Sequence, residues 1–276
     1  MENINPFYIL QPVIVIAISV ALMLYWYKKR RFHSTVWLYT LVAYAVAIAL
    51  KYAVQIPTID AVKPAGDAVL GVYYGVQTMV FEVGLAYLVA YLAAKHGNLS
   101  RKDAEAYGSG LAFWENAGLL GALSLVNLVS YYFILSGGGP LAQTVYDQLQ
   151  LNAPGLFSSN VVALGNVGIG VWERMSSMLI HIAWGYLCVM AVLYHKRKLF
   201  LIALPMGFID FLVPFAQYSP LVFEGVFFGL SVLSIWVAWY TTKAIRKQPE
   251  PTHPLQSSLE QGTGAATLPT GNSKTL

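Results

Sequence analysis

Residues 172–185 read WERMSSMLIHIAWG. The stretch lies inside an apolar run long enough to cross a bilayer, which needs about 20 predominantly apolar residues. Yet it carries Glu173 and Arg174 at one end and His181 seven residues after the arginine. A charge at the bilayer centre costs about 2.5–3.5 kcal/mol on insertion scales, so polar groups at that depth require a reason.

The rest of the chain is built the same way. Of its 276 residues 57% are hydrophobic and 11% charged, less than half the charged share of a soluble domain. The apolar residues come in long blocks, not as a 3.6-residue stripe, which predicts an all-α, polytopic integral membrane protein. Seven spans are expected, at about 7–27, 35–56, 68–94, 106–135, 168–194, 199–217 and 221–244. The first apolar run, YILQPVIVIAISVALMLYWY, is too long for a signal-peptide core and reads as a retained span. Residues 136–167 are nearly uncharged and read as a long loop lying on the membrane surface. The domain reading is a helical bundle over 1–247, followed by a Pro/Ser/Thr/Gly/Gln-rich, disordered tail over 248–276.

The net charge of +4 does not indicate nucleic acid, because its distribution is that of a membrane protein. Lys28, Lys29, Arg30 and Arg31 follow the first span. Arg101 and Lys102 precede the fourth, Lys196, Arg197 and Lys198 the sixth, and Lys243, Arg246 and Lys247 close the seventh. The positive-inside rule then places the N-terminus outside and the C-terminus in the cytoplasm of a multi-pass cell-membrane protein, with lipid as the partner at its surface. A single cysteine, Cys188, excludes an intramolecular disulfide and a cysteine-clustered metal site. Small residues crowd the third and fourth spans, Gly71 and Gly75 in one, Gly108, Gly110, Gly118 and Gly121 in the other. These two spans are therefore expected inside the bundle.

Depth sorts the ionisable residues. At about 1.5 Å rise per residue, Glu82, Glu115, His181 and Asp210 lie roughly 14–20 Å from one membrane face, one on each of four consecutive spans. If they face inward, they share a pocket. Arg174 and His181 lie on one face of their helix, with Ser177 between them. Glu173 and Arg174, about 10 Å nearer the outside, are expected to find separate partners. Asn116 is expected to hydrogen-bond on a face adjacent to Glu115. Lys51 is expected to snorkel away, and Glu224 to be interfacial. Carboxylates held together in low dielectric cannot all ionise, and one beside another can take a proton from water and return it to a leaving group. A histidine beside them can stabilise an oxyanion or hold a metal. The same set describes a proton relay, and each residue alone also reads as an interhelical hydrogen-bonding group.

The segment ERMSSMLIHIAWGYLCVMAV, followed by LFLIALPMGFIDFLVPFAQ, resembles the YhfC family of predicted intramembrane metalloproteases, near the PrsW and CPBP glutamate-dependent membrane proteases. Glu173, Arg174, His181 and Asp210 match that pattern, Glu115 in AFWEN is similar to its glycine-rich glutamate helix, and Glu82 in FEVGLAY to its glutamate motif. The resemblance covers about 75–217, and Val83, Ala86, Leu111 and Met206 stand where the family pattern has polar residues. It implies peptide-bond hydrolysis within the membrane, on a membrane-protein or peptide substrate. Glu115 with Glu82 would activate water, His181 would orient it, Asp210 would fix His181 or a metal, and Asn116, Glu173 and Arg174 would support them. A divalent metal such as zinc is implied, with His181 and Glu115 among its ligands. Two alternatives stand beside this: an inactive relative that binds membrane proteins, and a proton-linked transporter. A retinal-type receptor is excluded, since the seventh span has a lysine only at its inner end, Lys243.

Overall fold

The computed structural model describes residues 2–30 and 32–249. The expected disordered tail lies almost wholly outside the described residues. Within them there is no strand, and seven helices are long and apolar enough to span a membrane. These are α1 (Pro6–Lys29), α2 (Thr35–Ala65), α3 (Asp67–Lys95), α4 (Arg101–Gly137), α6 (Asn160–Leu193), α7 (Arg197–Phe215) and α8 (Pro220–Thr242). The architecture follows from the solvent: in hydrocarbon every backbone N–H must be satisfied internally, which a helix does within one segment.

An eighth helix, α5 (Gly139–Asn152), occupies much of the stretch expected to be loop. Gly138 and Gly139, both with positive φ, make the turn into it, and Pro140 fits its first turn, where the missing N–H costs nothing. Its buried Leu149 joins Ile4, Tyr8, Leu128 and Leu135 in a small core of its own. The polar residues of this region are not loop filler either. Asn5 Nδ2 donates to the Ser158 carbonyl and to Asn160 Oδ1, both at 2.9 Å, and ties the N-terminus to the start of α6.

The central helix is α6, the fifth span. In its most apolar window 89% of residues are buried, against 33% in α3 and 17% in α4. The expectation that α3 and α4 form the interior holds for part of each: Gly71, Gly75, Val83, Ala86 and Ala90 of α3 and residues 106–112 of α4 are buried, whereas Val80 and Leu88 of α3 and Leu123, Val126 and Phe133 of α4 are exposed. The glycines serve to let α4 approach α6. A Cβ on Gly185 would lie 2.5 Å from the Gly108 Cα, and one on Gly108 would lie 2.6 Å from the Ile182 carbonyl oxygen. Backbones this close pack by van der Waals contact, the main attraction available between helices in lipid. Gly108→Leu is expected to destabilise the bundle by about 3 kcal/mol, the upper range for overpacking. Thermal unfolding in detergent reads this, and an unchanged midpoint would mean that the crossing lies elsewhere.

His33 Nδ1 meets Asp103 Oδ2 at 2.9 Å, and Arg101 Nη1 donates to the Arg246 carbonyl at 2.9 Å. These contacts gather the turn after α1, the start of α4 and the end of α8 on one side of the bundle. Three of the four basic groups singled out by sequence flank those same elements.

Candidate functional site

Three of the deep carboxylates sit where the helices depart from α geometry. Glu82 lies in a π-helical stretch of α3, Thr78–Val83, and Glu115 in another in α4, Trp114–Gly121. Asp210 lies in a 3₁₀ stretch of α7, Phe208–Phe215. π-bulges are rare and often mark functional sites, because the extra residue turns a side chain away from the helical stripe. Gly121 permits the second one: a Cβ there would lie 2.6 Å from the Asn116 carbonyl oxygen. In α7, Pro205 and Pro214 each remove a backbone donor, and the helix tightens between them. Phe208 and Phe211 of that stretch pack on Gly75 and Gly71 of α3, which sets Asp210 beside Thr78.

His181 is the centre. Its Nδ1 donates to the Ser177 carbonyl at 2.8 Å, and Trp184 packs on its ring with centroids 4.1 Å apart. A carbonyl only accepts, so Nδ1 carries a proton, and in the neutral ring Nε2 would present its lone pair. That nitrogen lies 2.7 Å from Glu115 Oε2 and 3.4 Å from Glu82 Oε2. Both His181 Nε2 and Glu115 Oε2 are buried, and neither has a hydrogen-bond partner besides this contact with the other.

The outer oxygens of both glutamates are held. Arg174 Nη1 and Ser177 Oγ each lie 3.3 Å from Glu115 Oε1. Lys51 Nζ lies 2.5 Å from Glu82 Oε1, 2.9 Å from Thr78 Oγ1 and 3.4 Å from Asp210 Oδ2. Thr78 Oγ1 donates to Asp210 Oδ2 at 2.5 Å. Each glutamate is thus clamped through one oxygen while the other faces His181. A cavity of about 220 Å³ opens onto this cluster, with Ile209, Phe223 and Phe227 in its apolar walls.

Glu82, Glu115 and His181 are therefore brought together. Asp210 is not beside His181, as expected, but one step removed, on Thr78 and Lys51. Asn116 meets Ser177, its Nδ2 lying 3.4 Å from Oγ. Glu173 and Arg174 do pair with each other, against expectation, because the guanidinium folds back to its sequence neighbour while Nη1 reaches across to Glu115. Glu224, expected to be interfacial, lies near the start of α8 and is buried against the protein at 2% exposure, and its Oε2 has no hydrogen-bond partner. Lys51 is the residue that sequence reasoning missed. It does not snorkel, since α2 continues through Pro57 to Ala65 and leaves Lys51 at mid-helix.

The cluster fits a divalent cation. One donor atom each from Glu82, Glu115 and His181 lies within 4.8 Å of the others, and His-plus-carboxylate sets are known for zinc. The Nδ1–H to carbonyl bond fixes the tautomer a metal-bound histidine needs. The buried Nε2 and Oε2 atoms face each other and make no hydrogen bond elsewhere. Finally, four carboxylates (Glu82, Glu115, Glu173 and Asp210) meet only two permanent cations, Lys51 and Arg174. With all of them ionised, a net −2 is left in a medium of low dielectric.

Val83, Ala86, Leu111 and Met206 are all buried in the main apolar core. They pack the helices together beneath the cluster, and Ala86 adds a backbone carbonyl that accepts from Tyr107 at 2.7 Å. No curated protein and no solved structure matches this chain. The sequence model of the YhfC intramembrane metalloproteases matches residues 14–226, most of the chain and all of the cluster. The protein thus belongs to the YhfC intramembrane metalloprotease family and is a multi-pass protein of the cell membrane.

Proposed function

We propose that the protein hydrolyses peptide bonds of membrane-embedded substrates at the Glu82–Glu115–His181 cluster. The observation that carries this is the convergence of three donor atoms, two of them buried with no contact partner outside the cluster, on one point beside a cavity inside the bundle. Glu82 and His181 would hold a divalent ion such as zinc, with Glu115 Oε2 beside it. When bound, that ion supplies a Lewis acid for the scissile carbonyl.

The chain's own groups do the rest. Glu115 Oε2, the oxygen not held by Arg174 and Ser177, is the one that accepts a proton from the attacking water and later returns it to the leaving amine. Arg174 and Ser177 hold the other oxygen and fix the direction in which Oε2 points. His181, oriented by the Ser177 carbonyl and by Trp184, keeps Nε2 on the same point. Lys51 turns Glu82 so that Oε2 faces inward, while Thr78 and Asp210 hold Lys51. The apolar walls suit a substrate segment arriving from lipid. Arg174 closes the cluster on its outer side.

Purified protein in lipid nanodiscs, incubated with a library of transmembrane peptides, is expected to cut one or more of them, and a chelator is expected to stop cleavage until metal is restored. Cleavage indifferent to the chelator would remove the metal from the scheme. The non-enzymatic reading draws on Lys51, a permanent cation already seated against Glu82. On that reading the metal-loaded protein binds peptides and cuts none.

A further inference from the structure

A second polar pocket, about 290 Å³, lies on the far side of the Glu173–Arg174 pair, between α1, α4 and α6. Its polar lining is Gln11, Asn116, Ser124, Glu173 and Arg174. Leu120, Glu173 and Arg174 also line the main cavity, so the two spaces share one wall. Gln11 sits at the seam of α1 and α6, where a Cβ on Gly170 would collide with its amide.

We propose that this pocket is the route by which water reaches the cluster, with the Arg174–Glu173 pair as the partition. The inference rests on the hydrolytic reading above. Asn116 is wholly buried, and its Oδ1 has no partner in the protein. An orphaned amide oxygen within a membrane helix is costly, and water in an adjoining polar space is the donor that satisfies it. The pocket far exceeds the space of about 10–15 Å³ that one water needs, and its lining offers the two to four polar partners a water takes. From there a chain of contacts leads inward: Asn116 Nδ2 to Ser177 Oγ at 3.4 Å, then Ser177 Oγ to Glu115 Oε1 at 3.3 Å. Each bond hydrolysed consumes one water. A substrate segment in the main cavity would block the way in from that side, so a separate wet route lets the reaction proceed with the substrate seated.

Cysteine accessibility tests this independently of catalysis, because the single native cysteine, Cys188, is fully buried and leaves a silent background. In nanodiscs, Gln11→Cys and Ser124→Cys are expected to react with a charged, membrane-impermeant methanethiosulfonate at least tenfold faster than Leu123→Cys, on the lipid face of the same helix. Rates equal to that of Leu123→Cys for both would overturn the route; Ser124→Cys changes one atom, so loss of fold is not the explanation. In the cleavage assay, Gln11→Leu with Ser124→Val is expected to lower kcat at least fivefold with KM and metal content unchanged. Fast labelling with unchanged kcat would mean that the pocket is wet but supplies nothing, which also overturns the proposal. If the unaltered protein cuts no peptide, the hydrolytic reading fails, and labelling alone decides whether the pocket carries water.

Discussion

Glu115→Gln is expected to lower kcat by about 10²–10⁴-fold, the range that a positioned acid–base group contributes. The amide keeps the shape of the carboxylate and can still meet Arg174 and Ser177 through its oxygen, so the helices should pack as before. What it removes is the proton acceptor at Oε2, the oxygen not held by Arg174 and Ser177. The measurement is single-turnover cleavage of a transmembrane peptide, with thermal unfolding as the check on fold. A rate within threefold of the native value would take Glu115 out of the proton-transfer role.

Lys51→Met is the second large effect, and it acts on stability first. Lys51 binds Glu82 at 2.5 Å and Asp210 at 3.4 Å inside the bundle. Removing one partner of a buried ion pair costs about 3–5 kcal/mol, because the partner charges are left without compensation. A fall in thermal midpoint on the order of 10 °C follows for a chain of this size. The diagnostic is the double variant. Lys51→Met with Asp210→Asn removes one of the stranded carboxylates and should recover part of the loss. It should not recover cleavage, since Glu82 Oε1 remains without the cation that sets its direction. Stability effects that simply add would show that Lys51 and Asp210 do not act on each other.

The seven spans were legible because span length and apolar run are set by the same bilayer thickness. The vertical position of the site was legible too. Glu82, Glu115 and His181 are conspicuous as polar groups far from either end of their spans, and rise per residue turns that into depth. What sequence did not show was direction. Inward-facing was a condition there, and both glutamates sit in π-helical stretches, which an α-helical periodicity does not describe. Lys51 escaped because its span was ended at 56, just short of Pro57. In lipid a proline can be tolerated within a helix, and α2 runs on to Ala65. Asp210 was expected on His181 or a metal, and the contact sequence did not show is with Thr78, a residue with no ionisable signal of its own, which donates to its Oδ2 at 2.5 Å. Glycine crowding was read as a property of two whole spans. It marks two local contacts instead, the crossing of α4 with the central helix α6 and the seat of α7 on Gly71 and Gly75 of α3. The stretch over 136–167 carries too few charges and too mixed a pattern to separate a surface helix from a loop, and α5 was hidden there.

The claim on which the account rests is that Glu82, Glu115 and His181 form one metal-binding cluster. Elemental analysis of the purified protein tests it most directly, comparing the native chain with Glu82→Gln and His181→Ala after identical dialysis. The expected result is about one divalent ion per native chain and less than a tenth of that in His181→Ala, with a partial loss in Glu82→Gln. A native protein that cuts its peptide with no metal present, or an ion retained in full by both variants, would contradict it.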